Sequence, residues 1–222
     1  MPALAPGSLI TIFVRDLAAG EGRASTPPLP TELAGTSVSL NWLRLPLLFV
    51  SGYRIDAQLP YGPVGQATLL VSTPNSSAEA QIVTAAVAPA IINLPDTFDV
   101  APAVVRSSGG GLVTAASPAS GGEDVTVYLV GLGPVDGNIA AGDPAPGQPP
   151  LSTLYPVKVR IGSASVTPAF AGLTPGFAGL YQVNVRIPEA LPAGIHALRV
   201  SVNGIGSDPV SLFVGPAGGG GK

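Results

Sequence analysis

Tyr53-Arg54-Ile55-Asp56-Ala57-Gln58-Leu59-Pro60 and Tyr181-Gln182-Val183-Asn184-Val185-Arg186-Ile187-Pro188 decide how this chain is read. Both alternate apolar and polar residues with a period of two. That spacing turns one row of side chains toward a core and the other toward water. Tyr53, Ile55, Ala57 and Leu59 form an inward row opposite Arg54, Asp56 and Gln58; Tyr181, Val183, Val185 and Ile187 do the same opposite Gln182, Asn184 and Arg186. Each stretch ends at a proline, which has no N–H to give to a β-ladder. Two half-buried strands of one pattern, 128 positions apart, point to an internal repeat.

The match extends outward. Gly65-Gln66-Ala67-Thr68-Leu69-Leu70-Val71-Ser72 aligns with Gly194-Ile195-His196-Ala197-Leu198-Arg199-Val200-Ser201, and Gly7-Ser8-Leu9-Ile10-Thr11-Ile12-Phe13 aligns with Gly122-Glu123-Asp124-Val125-Thr126-Val127-Tyr128. Val38-Ser39-Leu40 aligns with Val159-Arg160-Ile161, and Phe49 with Phe170. The offset grows from 115 to 121, 128 and 129 along the chain, as changes in loop length between equivalent strands would produce. Asn203-Gly204, between Leu198–Val202 and Val210–Val214, is a strong hairpin signal. About seven short strands per copy, spaced by turns, predict an all-β chain of two tandem immunoglobulin-like β-sandwiches. The expected organisation is a first sandwich over 1–93, a linker or hairpin over 94–118 around Ser107-Ser108-Gly109-Gly110-Gly111, a second sandwich over 119–217, and a flexible tail over 218–222. The long Pro- and Gly-rich segment 131–150 is expected as an ordered loop of the second sandwich.

Composition narrows the function. Of 222 residues, 29 are Gly and 25 Pro, and only 10% are charged, against an apolar content of 46%. Disordered chains have the opposite balance, and long helices do not tolerate proline at this frequency. A net charge of −3, with eight scattered Arg and only Lys158 and Lys222, offers no basic patch for nucleic acid. The most apolar stretch, residues 43–50, is too short to span a bilayer and carries Arg44 and Pro46, so no transmembrane segment is expected. The first residues lack the basic and apolar regions of a signal peptide.

Candidate chemistry is sparse. With no Cys, thiolate chemistry is excluded. The single His196 has no Gly-x-Ser-x-Gly elbow to serve, and Ala67 stands at its equivalent position. It falls in an inward row with Leu198, Val200 and Val202. The near carboxylate pairs, Asp96 with Asp99 and Glu123 with Asp124, read as strand-end and turn residues. No catalytic residue and no cofactor are expected. No metal site is assigned; Asp136, Asn138 and Asp143 of the long loop are the residues that would supply oxygen ligands to calcium, at a spacing that is not an EF-hand. Asp96 and Asp99 are a second such pair. Lys158 is expected to face solvent, away from any isopeptide partner.

The second copy carries recognisable motifs. Gly131-Leu132-Gly133-Pro134-Val135 and Ala171-Gly172-Leu173-Thr174-Pro175-Gly176-Phe177-Ala178-Gly179-Leu180-Tyr181-Gln182-Val183-Asn184-Val185 resemble the uncharacterised C-terminal domain abundant in secreted proteins of Solibacter-type acidobacteria. Ala5-Pro6-Gly7-Ser8-Leu9 and Pro46-Leu47-Leu48-Phe49-Val50-Ser51 resemble the first half of that domain. The resemblance implies tandem sandwiches of the IPT/TIG-like kind in an extracellular or cell-surface protein, and it carries no functional residues. The first half departs from the family pattern at Val14, Arg54, Asp56 and near Trp42.

Two roles follow as expectations. The first is a non-enzymatic structural module for self-assembly as a filament or surface layer, for adhesion or for spacing. A sandwich with so few charges lacks the usual defence against association, so its partner would be itself or a neighbouring domain. The alternative is a carbohydrate-binding accessory module, with polysaccharide stacked on Trp42 or Tyr61. A tryptophan is more often a core plug than such a platform. The interaction candidates are Trp42, Arg44, Arg54, Asp56 and Tyr61.

Overall fold

The computed structural model describes residues 3–15, 20–62, 64–95 and 100–216, so the 218–222 tail and the Asp96/Asp99 pair lie outside the described residues. The fold is all-β, and the strands at the centre of each sandwich sheet pair antiparallel. Two compact units form, and they divide the chain differently from the expected boundaries. The first comprises Met1–Ala88, Gly133–Leu154 and Leu173–Leu180; the second comprises Pro89–Leu132, Tyr155–Gly172 and Tyr181–Lys222. The long loop expected within the second sandwich therefore belongs to the first unit. The segment expected as a linker lies inside the second, where Val104–Arg106 is a strand paired with Asp124–Val130.

In the first unit, one sheet runs in the order Leu9–Phe13, Arg54–Gln58, Leu47–Val50, Gly22–Arg23. The other runs Glu32–Leu33, Thr36–Leu40, Gly65–Ser72, Ser77–Thr84, with Leu43–Arg44 also paired to Thr36–Leu40. Ile10, Leu47, Val50, Ile55 and Ala57 of the first sheet share one buried cluster with Val38, Leu40, Leu69 and Val71 of the second. A sandwich with one apolar core results. Each Val, Leu or Ile among them contributes about 1.5–3 kcal/mol on burial.

In the second unit, Asp124–Val130 and Tyr181–Arg186 pair at the centre of one sheet, and Val157–Ile161 and Gly194–Val202 at the centre of another. Alternation is strict: Val125, Val127, Leu129, Tyr181, Val183 and Val185 are buried on one sheet, and Val159, Ile161, Leu198, Val200 and Val202 on the other. The registers in the two units correspond. Leu9↔Gln58 and Phe13↔Arg54 match Asp124↔Arg186 and Tyr128↔Gln182, while Val38↔Val71 and Leu40↔Leu69 match Val159↔Val200 and Ile161↔Leu198.

Two expectations of facing are corrected. Tyr53 does not join the inward row, being 69% exposed; the strand begins only at Arg54, so the preceding bend releases Tyr53 from the pleat. Gln58 takes the outward position but is buried at 1% exposure. The face it occupies is covered by the Gly133–Leu154 and Leu173–Leu180 segments, which belong to the same unit. Lys158 is exposed, in line with its expected facing.

Candidate functional site

The interaction candidates separate into two places on the first unit. Trp42 and Arg44 belong to the hairpin that joins Thr36–Leu40 to Leu43–Arg44; Arg54 and Asp56 lie on a strand of the opposite sheet. These four candidates therefore lie on opposite sheets of the first unit.

At the hairpin, Asn41 has φ of 50° and Trp42 φ of 103° between paired Leu40 and Leu43. Two consecutive positive φ values mark a type I′ turn, whose second position favours glycine because a Cβ is strained there. Asn203-Gly204, with φ of 48° and 79°, shows the favoured pair in a hairpin of the second unit. Asn41 suits its position and ties the turn down, its Oδ1 accepting from the Thr68 N–H at 2.9 Å. Trp42 does not suit its own. It is 95% exposed, so the core-plug reading is corrected and no burial offsets the strain. Leu43, at 58%, and Val64, at 56%, are also exposed. They line a hollow of about 90 Å³ together with Pro6, Asn41, Pro60 and Gln66.

Arg44 meets Glu32 at 3.5 Å, with both side chains largely in water, a pair that contributes little. Tyr61 is not a platform. Its ring packs on Gly7, where a Cβ would collide with it, and its hydroxyl is buried without a hydrogen bond of good geometry. Burial pushes the phenol up to about 12, a shift that the nearby Gln58 amide opposes.

On the other sheet a row crosses four strands. Arg23 lies over the Phe49 ring at 5.0 Å and Arg54 at 5.9 Å. Arg54 donates to Asp56 through Nε at 2.8 Å, with Nη2 2.8 Å from the second carboxylate oxygen, and Thr11 Oγ1 donates to Asp56 at 2.8 Å. The Asp56 carboxylate, through hydrogen bonding and then charge, raises the Arg54 pKa further above its ordinary value. Sequence pattern found Arg54 and Asp56 but missed Arg23 and Phe49. Their distance along the chain hides a row that only cross-strand register assembles.

The remaining candidates have structural partners. Glu123 meets Arg106 Nε at 2.9 Å and accepts from the Ser120 N–H at 2.8 Å; Asp124 meets Arg186 at 3.2 Å. His196 is half-buried with Nε2 2.8 Å from the Pro192 carbonyl oxygen. Asp136 Oδ1 accepts from the Ser152 N–H at 2.6 Å, tying the start of the long loop to the residues that follow it. Among the described residues no three His, Asp or Glu side chains cluster as a metal site would require, and Asp143 does not join Asp136 in one.

No protein-family model matches the chain, and no curated protein does. Solved structures with detectable similarity include SGBP-B of the Bacteroides ovatus mixed-linkage glucan utilization locus in complex with a mixed-linkage heptasaccharide, at 14% identity and TM-score 0.31 over 96% of this chain and 42% of that one. FdeC, an Escherichia coli adhesin, is similar at 13% identity and TM-score 0.32 over 97% of this chain and 62% of that one. Domains 4 and 5 of the S-layer protein SbsC are similar at 11% identity and TM-score 0.24 over 93% of this chain and 98% of that one. The chain thus spans less than two thirds of the length of the first two.

Proposed function

We propose that this chain is a non-catalytic contact module of an extracellular or cell-surface protein, serving adhesion, spacing or assembly through the Asn41–Trp42 tip of its first unit. One observation carries the reading: Trp42 is held at a φ of 103° with 95% of its surface in water. A fold gains nothing from an exposed indole in a conformation that favours glycine, and strain of this kind concentrates where a partner is met. Engagement of His196, Glu123 and Asp124 in structural contacts supports the non-catalytic part. The corresponding registers of the two units support reading them as copies of one sandwich, in keeping with the resemblance to the Solibacter-type domain.

A carbohydrate partner is the second reading. The apolar hollow lined by Leu43 and Val64, chain neighbours of the Trp42 turn and of Tyr61's loop, also has Asn41 and Gln66 in its wall, a combination suited to a sugar ring with its hydroxyls. A glycan screen, run beside a pull-down on the surface of source cells, tests both readings. Binding that Trp42→Ala removes is expected, with the class of ligand separating the two readings. Undiminished binding by Trp42→Ala overturns the placement of the site.

A further inference from the structure

We infer that the Ser77–Thr84 strand is a self-pairing edge, through which two copies of this chain join their first-unit sheets in antiparallel register about a two-fold axis at Ala78. The strand is the last of its sheet and pairs with Gly65–Ser72 over its whole length without a bulge. Its backbone directions follow from two hydrogen bonds at its far end. Leu4 donates to the Val83 carbonyl at 3.1 Å, and Ala85 donates to the Leu4 carbonyl at 2.8 Å, so odd-numbered residues turn their N–H and C=O away from the neighbouring strand. Among the described residues nothing pairs with the outward backbone groups of Ser77 and Glu79, while Leu4 closes the edge at Val83.

Native sheets blunt such an edge with proline, bulges or charge. The second unit does so: the partner of its Gly194–Val202 strand is split into Ile205–Gly206 and Val210–Val214 by an interruption containing Pro209. The first-unit edge has neither device and one charge, Glu79. Ala78 and Ala80 also stay exposed although they take the core-facing positions of Ile82 and Thr84, which are buried, so the sandwich is open along this flank.

A second copy fits the edge. Antiparallel pairing about Ala78 sets Ser77 opposite Glu79 of the other copy, twice, so that hydroxyl meets carboxylate and no like charges stand directly opposed. A register centred on Ala80 would instead run the partner into Leu4, and one centred on Glu79 would oppose two carboxylates. In the Ala78 register the two Ala78 residues form a non-hydrogen-bonded pair with Cα atoms about 4.5 Å apart, within the span of a disulfide.

The inference does not rest on Trp42, and the test separates the two. The chain has no cysteine, so Ala78→Cys reports on this contact alone, with Ser163→Cys, in an exposed turn, as control. Under mild oxidant the full-length Ala78→Cys variant is expected to convert to a disulfide-linked dimer, while Ser163→Cys stays largely monomeric. Light scattering of the unmodified chain is expected to show a concentration-dependent rise toward the mass of two chains. Glu79→Pro, which removes an outward N–H without touching the internal ladder, is expected to abolish that rise with near-UV circular dichroism unchanged, whereas Trp42→Ala leaves it intact. A strict monomer at every concentration, as expected if a foreign strand is the true occupant, overturns the proposal. So does association that Glu79→Pro leaves unaltered, or equal cross-linking of the two cysteine variants.

Discussion

The N–H of Gly142 donates to Oε1 of Gln58 at 2.6 Å, across 84 residues of chain. The same Gln58 amide donates to the Gly7 carbonyl at 3.1 Å. One side chain at an outward strand position thus satisfies two backbone groups and fixes the long loop over the sheet. Gln58→Leu keeps the volume and removes both partners, leaving a buried donor and a buried acceptor unpaired. The expected loss is about 2–4 kcal/mol of unfolding free energy, read as a lower urea midpoint.

Gly179 and Gly176 separate steric fit from backbone strain in that covering layer. Both have positive φ, at 67° and 80°. A Cβ on Gly179 would lie 2.8 Å from the Gly7 carbonyl oxygen and from the Gln58 amide nitrogen, whereas one on Gly176 meets nothing within 4 Å. Gly176→Ala is expected to cost about 1–2 kcal/mol for the left-handed backbone alone. Gly179→Ala should cost clearly more, because the Gly7 backbone must also shift. Equal thermal midpoints for the two variants would show that the layer yields freely.

Trp42→Gly should stabilise the isolated protein. Glycine suits the second position of a type I′ turn, and the indole it removes makes little contact. The expected gain is on the order of 0.5–1 kcal/mol, reduced by the extra freedom of glycine in the unfolded chain. A destabilised Trp42→Gly variant would mean that the ring supports the hairpin, and the strain argument would fail.

Tyr61 gives the stability a dependence on alkaline pH. Its folded pKa of about 12 stands above the ordinary 10.0, so the folded state holds the proton more tightly than the unfolded chain. Stability from this group is complete below pH 10 and is lost as pH rises through about 12, by roughly 2–3 kcal/mol in all. Tyr61→Phe removes a hydroxyl that has no good partner, so little change is expected at neutral pH and a flatter alkaline limb in urea melts. An unaltered alkaline limb in that variant would locate the titration elsewhere.

Asp56→Asn tests the polar row on the other sheet. The carboxylate holds Arg54 in two contacts of 2.8 Å and accepts from Thr11, but Arg54 is about half in water. The cost should be about 1 kcal/mol or less and should shrink further in molar salt. A larger, salt-insensitive loss would show that the row behaves as a buried network.

The strand cores were legible because a period-two pattern constrains each residue to one face. Ile55, Ala57, Val183, Val185, Val200 and Val202 are buried where the pattern puts them. Asn41 is a residue type that tolerates a positive φ, and Trp42 stood among the candidates drawn from the sequence. The site itself was not legible. Pattern alone weighed Trp42 toward a core plug, and exposure is settled by whether any other segment comes to cover a turn.

Alternation along the chain determined which residues form strands and which way most of their side chains point, since that is local steric geometry of the pleat. Tertiary structure alone decided what covers each face. Gln58 is buried, and Tyr61 packed, through Gly142, Gly179 and Gly7, and none of these approaches leaves a periodic trace in the sequence. The loop's allegiance to the first unit was decided the same way, by long-range packing of irregular backbone whose hydrogen bonds, such as Leu29 to the Gly142 carbonyl at 2.9 Å, have no fixed spacing.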